Sequence, residues 1–186
     1  VEGKGQEMLD NLQATAAAYP RALEPRLVMA RYYIGMGQLG EVMPLFEHLT
    51  EEQLEHPDTL ETLAAYELAV SRYNQALVTL EKLLKARPGV SQHHYMKSRA
   101  YAGLGDVAQV AAELVRAVEL EPQHFYARIA LARLALQSDQ IDTFEKSLAA
   151  LRELAPGNLD VMKLEVASAQ KRGEDKAALK LLEAVF

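Results

Sequence analysis

Four prolines set a ruler along this chain. Pro20, Pro88, Pro122 and Pro156 are spaced by 68, 34 and 34 residues, all multiples of 34. The vacant lattice point falls on Leu54, with Pro57 three residues on. Eight residues before each point stand Leu12, Phe46, Leu80, Leu114 and Leu148, and a notional point past the end adds Leu182. Seventeen before stand Gly3, Gly37, Ser71, Gly105, Asp139 and Gly173, all small or turn-forming. Twenty-four before stand Ala30, Ala64, Ser98, Ala132 and Val166, mostly small. Three coincident columns at this period are the mark of stacked structural repeats.

Each period reads as two helices. In 125–138, Ile129, Ala132 and Leu136 recur at helical spacing, Asp139-Gln140 breaks the pattern, and Ile141, Phe144, Leu148 and Leu151 resume it before Pro156. Proline past a helix end stops it, having no N–H to donate and clashing with the preceding turn. The same reading predicts helices over 5–18, 24–36, 39–51, 57–70, 73–86, 91–103, 107–120, 159–171 and 175–186. Pro25, Pro44 and Pro57 are expected in first turns, where proline is tolerated. No segment alternates with period two, so no strand is expected. Ala and Leu, at 29 each against 10 Gly and 7 Pro, agree with helix throughout.

The 34-residue unit, the small residue between two helices and the closing proline resemble the tetratricopeptide repeat (TPR). The clearest copy is 91–124, with Tyr101, Gly105-Asp106, Leu114, Ala117 and Pro122 at the family's offsets. Lys97 and Glu165 depart from it where a Leu is usual, and Ala135 and Ala169 where a Tyr is usual. The resemblance implies an all-α fold, a right-handed alpha-alpha solenoid of stacked helix-turn-helix repeats. Residues 1–186 then form one array: 1–22 the second helix of a partial repeat, 23–56, 57–90, 91–124 and 125–158 full repeats, and 159–186 a partial one. The small column would let helices approach closely and the large column would fill the space between repeats, leaving the first helices on a concave face. The final helix carries Leu179, Leu181, Leu182 and Val185 with no polar cap, and helix 5–18 lacks a preceding partner. Exposed apolar surface and end-to-end association are therefore expected at both termini.

Chemistry is poorly provided for. With no Cys, thiol catalysis, disulfides and thiolate zinc sites are excluded. Twenty Lys and Arg against 26 Asp and Glu disfavour general attraction to nucleic acid or anionic membrane, and no apolar run is long enough for a membrane span. Gly35-Met36-Gly37-Gln38-Leu39-Gly40 spells a dinucleotide fingerprint but follows a helix, not the strand such a site requires. His93 and His94 diverge by about 100° on a helix, so they cannot grip one metal; solvent-facing or edge positions are expected. Tyr33 matches a packing column and reads as core. No catalytic, cofactor or metal site is assigned, and the chain is read as a non-enzyme needing no cofactor.

What remains is binding. The expected role is a protein–protein interaction scaffold holding an extended peptide on the concave face; the alternative is a structural spacer or self-association segment of a larger assembly. The Lys-then-Asn clamp by which one TPR subgroup grips chaperone C-termini is missing from Leu27/Arg31, Glu61/Ala65, Tyr95/Arg99, Ile129/Arg133 and Lys163/Ala167. One column of first helices reads Arg31, Ala65, Arg99, Arg133 and Ala167, with Tyr95 and Tyr126 on the same face. Arg31, Tyr95, Arg99, Tyr126 and Arg133 are thus the candidate concave-face residues, suited to an acidic peptide or an anionic polymer. The competing reading is that these arginines pair with groove carboxylates such as Glu61. Ala/Leu-rich stretches such as 22–27, 30–33 and 130–136 look like the TPR lipoproteins of bacterial PEP-CTERM/exosortase exopolysaccharide systems. That resemblance implies a fragment of a larger bacterial envelope or polysaccharide-export protein, periplasmic rather than cytoplasmic. The start at Val1, without Met or an apolar signal core, agrees with a fragment.

Overall fold

The computed structural model describes residues 2–185; among them there are helices and turns and no strand. The helices are α1 (Glu2–Ala18), α2 (Glu24–Gly35), α3 (Glu51–Leu54), α4 (Pro57–Ala69), α5 (Tyr73–Ala86), α6 (Ser91–Leu104), α7 (Val107–Leu120), α8 (Phe125–Gln137), α9 (Ile141–Leu154), α10 (Leu159–Lys171) and α11 (Asp175–Val185). Lattice-spaced residues start several of the first helices. The side chains of His56, His124 and Asn158 each accept a hydrogen bond from a first-turn N–H of α4, α8 and α10, and Pro57 opens α4.

The column between paired helices has a backbone cause. Gly37, Ser71, Gly105, Asp139 and Gly173 all adopt left-handed backbone, with φ between 59° and 77°. At four of them the next N–H reaches back five residues: Gln38 to the Tyr33 carbonyl, Arg72 to Glu67, Gln140 to Ala135 and Glu174 to Ala169, at 2.8–2.9 Å. This reversal satisfies carbonyls that the helix end leaves unpaired, and it demands positive φ. Glycine accepts that conformation without a Cβ clash, whereas Ser71 and Asp139 bear its cost. Gly3, in the same column, lies instead inside α1.

One expected helix is absent. Over 39–51 the chain makes two 3-10 turns, Leu39–Glu41 and Met43–Leu45, and resumes as the short α3 behind a Thr50–Gln53 capping box. A helix begun at 39 would have Pro44 beyond its first turn, where the missing N–H and the ring break it, and Gly40 adds entropic cost; Pro44 instead stands at the start of the second 3-10 turn. Tighter bonds replace the helical ones, Leu45 N–H to the Val42 carbonyl at 3.1 Å and Phe46 N–H to Met43 at 2.9 Å. Val42 and Phe46 are nonetheless buried like their counterparts in intact repeats. The apolar columns hold where the helix does not.

The chain forms two compact units, residues 1–89 with 99–105, and residues 90–98 with 106–186. In the first, Leu27, Ala30, Val42, Phe46 and Tyr66 form a core that partly buried Tyr33 packs against. A Cβ on Gly103 would collide with the Tyr73 ring, so that close approach requires glycine. In the second, α8, α9 and α10 share a core of Ile129, Ala132, Ala135, Phe144, Leu148, Leu151, Val161 and Leu164. Leu114, Ala117, Ala127 and Leu131 form another. Near the termini, Met8 is 37% and Leu179 61% exposed, while Leu12 and Leu182 are partly buried. The side chains of Leu181 and Val185, and Phe186 itself, lie outside the described residues.

One buried charge stands out in the first unit. Glu67 is 7% exposed, and its Oε2 is buried without a hydrogen-bond partner. Burial raises its pKa, offset in part by a hydrogen bond from Thr79 and by Arg72. A carboxyl whose folded pKa is raised destabilises the fold above that pKa and ceases to do so below its unfolded value.

Two stability tests follow from this geometry. Gly105→Ala is expected to cost about 1–2 kcal/mol in urea unfolding, and Ser71→Gly to gain up to about 1 kcal/mol, less the bond that Tyr73 O–H donates to Ser71 Oγ at 3.1 Å, because glycine takes positive φ without a Cβ clash. Glu67→Gln is expected to raise the melting temperature at pH 7, with the gain shrinking as pH falls through the folded pKa of Glu67 toward its ordinary carboxylate value. A gain independent of pH would show that shape, not charge, sets the cost at that position.

Candidate functional site

The second unit presents first-helix residues from α6, α8 and α10 that sequence spacing places in one family of positions. Tyr95 on α6 and Tyr126 on α8 are brought together: their ring centroids are 6.4 Å apart and nearly parallel, at 26°. Tyr95 is partly buried, whereas Tyr126 is 65% exposed, so one face of the pair remains open to solvent. Phe125 meets Tyr126 edge-on at 5.5 Å.

His124 holds this arrangement in place. Its Nδ1 accepts the Ala127 N–H at 3.2 Å, so the proton of the neutral ring resides on Nε2, which donates to Gln92 Oε1 at 3.0 Å. The buried ring also lies 5.2 Å from Tyr95. One imidazole thus caps α8, ties it to α6 and supports the aromatic pair. Sequence spacing gave no role to His124; its position immediately before an apolar-periodic segment is the capping signal that could have found it.

The arginines separate. Arg133 lies two helical turns after Tyr126, about 10 Å along α8. Its Nη2 donates to Asp160 Oδ1 at 2.8 Å, and both side chains are about half exposed. Such a solvent-screened pair contributes at most about 1 kcal/mol and is easily exchanged for another carboxylate. Arg31 belongs to the first unit, where its Nε donates to Thr62 Oγ1 at 3.3 Å. Arg99, also assigned to that unit, is exposed and takes part in no ion pair among the described residues. Arginine pairing with Glu61 is not found among the described residues; Asp160 and the Thr62 hydroxyl take that place.

The two departures from the repeat's Leu column are explained by charge. Lys97 Nζ lies 2.7 Å from Glu113 Oε1, and His94 Nδ1 2.7 Å from Glu113 Oε2, with all three side chains only 12–15% exposed. Glu165 accepts from Arg152 Nε at 2.7 Å. Each charged residue on a first helix meets an opposite charge on a second helix. The histidine pair is likewise not at the surface: His93 is 1% exposed, and His94 is occupied by Glu113. Adjacent positions on α6 send them in different directions. Among the described residues no group of three or more His, Asp or Glu is arranged to hold a metal ion, and no helix is long and apolar enough to cross a membrane. The Gly35–Gly40 loop follows α2 and leads into a three-residue 3-10 turn, with Gly37 in the left-handed turn column.

Removing Glu113 strands the Lys97 ammonium and leaves His94 Nδ1 without its partner in a nearly dry site. Glu113→Ala is expected to destabilise the protein by about 3 kcal/mol in urea unfolding, and the double change Glu113→Leu with Lys97→Leu to cost much less. Equal losses in the two variants would mean that packing rather than charge governs the position.

No family model matches the chain, and no curated protein matches it. Solved structures do. YrrB, described as a TPR protein with an unusual peptide-binding site, superposes with a TM-score of 0.66 at 18% identity, over 94% of this chain and 90% of that one. TTC0263, a thermophilic TPR protein of Thermus thermophilus, gives 0.71 at 23% identity over 86% and 88%. MamA gives 0.69 at 13% identity over 88% and 89%. Identities this low show the fold alone. The chain therefore has the fold of the tetratricopeptide proteins, the all-α solenoid class, as its columns, paired helices and left-handed turns require.

Proposed function

We propose that the chain is a protein-interaction scaffold that holds an extended peptide on its first-helix face, by binding and not by catalysis. The observation that carries this is the Tyr95–Tyr126 stack, open on one side, with Arg133 on the same helix held only by a half-exposed ion pair. Aromatic faces supply contact area at low entropic cost, and a guanidinium that can exchange Asp160 for a ligand carboxylate supplies selectivity for acidic residues. Arg31 and Arg99, in the first unit, continue the same column in sequence and complete the candidate set. An anionic polymer would use the same guanidinium chemistry. A peptide-binding site in YrrB, which shares the fold, supports the reading in kind. The periplasmic or envelope setting within a larger bacterial export assembly is part of this proposal and rests on the Ala/Leu-rich resemblance.

The test is selection of binders from a random extended-peptide display library against residues 1–186. Selected peptides are expected to be acidic. Arg99→Ala with Arg133→Ala, and separately Tyr126→Ala, are expected to weaken them at least tenfold with unchanged helicity by circular dichroism. Added salt should reproduce the arginine effect. Undiminished binding by the double mutant in low salt would overturn the groove.

A further inference from the structure

Helix α7, in the second unit, turns an uncharged face to solvent. Its exposed positions before Arg116 are Val107, Ala108, Gln109, Ala112 and Val115, and the two valines are 57% and 42% exposed. Other second helices carry charge there. In register with Ala108, Ala112 and Val115 stand Asn74, Val78 and Glu81 on α5, Asp142, Lys146 and Ala149 on α9, and Lys176, Lys180 and Glu183 on α11. Among these four helices only α7 leaves all three positions uncharged. Its own fold does not need the exposed valines, because Leu114 and Ala117 already anchor it in a core with Ala127 and Leu131 of α8.

Opposite charges bound this face. Asp106 precedes it as the exposed N-cap of α7, its Oδ1 accepting the Gln109 N–H at 3.1 Å. Arg116 follows it with a side chain 54% exposed, and its Nη1 donates to Glu119 Oε2 at 3.2 Å. Reversing the helix about Ala111 maps this pattern onto itself: Val107 falls on Val115 and Asp106 on Arg116, since each pair is equidistant from residue 111. Such a face is its own complement under a two-fold axis, the arrangement of an isologous dimer. We infer that α7 docks on α7 of a second copy of this chain, antiparallel, with the two-fold axis at Ala111. Val107, Ala111 and Val115 follow at four-residue intervals and form one ridge, which packs into the groove beside the same ridge of the other copy. Arg116 then holds Glu119 of its own chain and Asp106 of the other, because Nη1 alone serves Glu119 and the guanidinium has N–H donors to spare. A parallel pairing would instead set Arg116 against Arg116, a like-charge contact. The ridge spans about 12 Å, so the pairing belongs with weak, reversible interfaces below about 1,200 Å². It uses no residue of the Tyr95–Tyr126 face.

Sedimentation velocity of residues 1–186 tests this, run up to roughly 1 mM, where even weak specific pairs are half formed. A reversible monomer–dimer equilibrium is expected, weakened at least tenfold by Val115→Lys and severalfold by Arg116→Glu. Both side chains face solvent, so helicity should be kept, which circular dichroism checks. The two-fold axis makes a sharper demand. Arg116→Glu in one preparation and Asp106→Lys in another each set like charges together in a homodimer, whereas a mixture of the two restores both ion pairs. Dimers are therefore expected in the mixture and in neither variant alone. The chain has no Cys, so Ala112→Cys supplies a single thiol beside the axis. A short bis-maleimide should join two such copies and fail to join copies carrying Ala149→Cys, the Val115 counterpart on α9. Monomers throughout the concentration range overturn the proposal. So does dimerisation indifferent to Val115→Lys, because the contact then lies elsewhere. Equal crosslinking at both cysteines, or a mixture that stays monomeric with both variants folded, overturns it as well.

Discussion

The structure depends on one repeated contact, a large apolar side chain on each second helix set against a small residue on a first helix. Leu148 of α9 and Ala132 of α8 are both at 0% exposure in one continuous core with Val161 and Leu164 of α10. Burying a leucine contributes about 1.5–3 kcal/mol, and a lone helix pair has no third surface against which to do so. Stability must therefore come from neighbours in the stack. The segment around Pro44 shows how far this governs: the helix is lost there, yet Val42 and Phe46 still reach the core.

Turns serve the same contact. Placing a second helix against its first requires a reversal of few residues, and the left-handed residue supplies it while satisfying the carbonyls at the helix end. Ser71 and Asp139 accept an unfavourable φ because the alternative is displacement of the helix that follows. Asp139 also receives Lys171 at 2.5 Å, a contact that glycine could not make.

At the repeat's leucine positions, charged residues enter the helix interfaces with partners. Lys97 and Glu165 occupy positions that suit leucine, and each meets an opposite charge, Glu113 and Arg152. Ser168 donates to Glu145 at 2.6 Å. The nearly buried Lys97–Glu113 pair adds little net stability over leucine, but loss of either partner is costly, so it restricts which helices fit together. The exposed features differ in kind: the Tyr126 ring and the Arg133–Asp160 pair are open to solvent.

The fold was legible from spacing alone because a repeat writes each tertiary contact several times at a fixed interval. Even the positive-φ turns were marked, by Gly recurring at three of five positions from 37 to 173. The broken helix was less legible: Pro44 does stand in a first turn, but that of the short Met43–Leu45 segment, and spacing gave no sign that a new turn begins there. Of the candidate site, sequence determined which residues share a helix face, because 3.6 residues per turn fixes that locally. Only the tertiary structure decided what each one meets: Tyr126 stacked on Tyr95, Arg133 paired with Asp160, Arg31 bonded to Thr62, His93 withdrawn from water. Those partners lie on other helices, tens of residues away, and side-chain reach across a packed interface is set by where the helices come to rest, which no single period encodes.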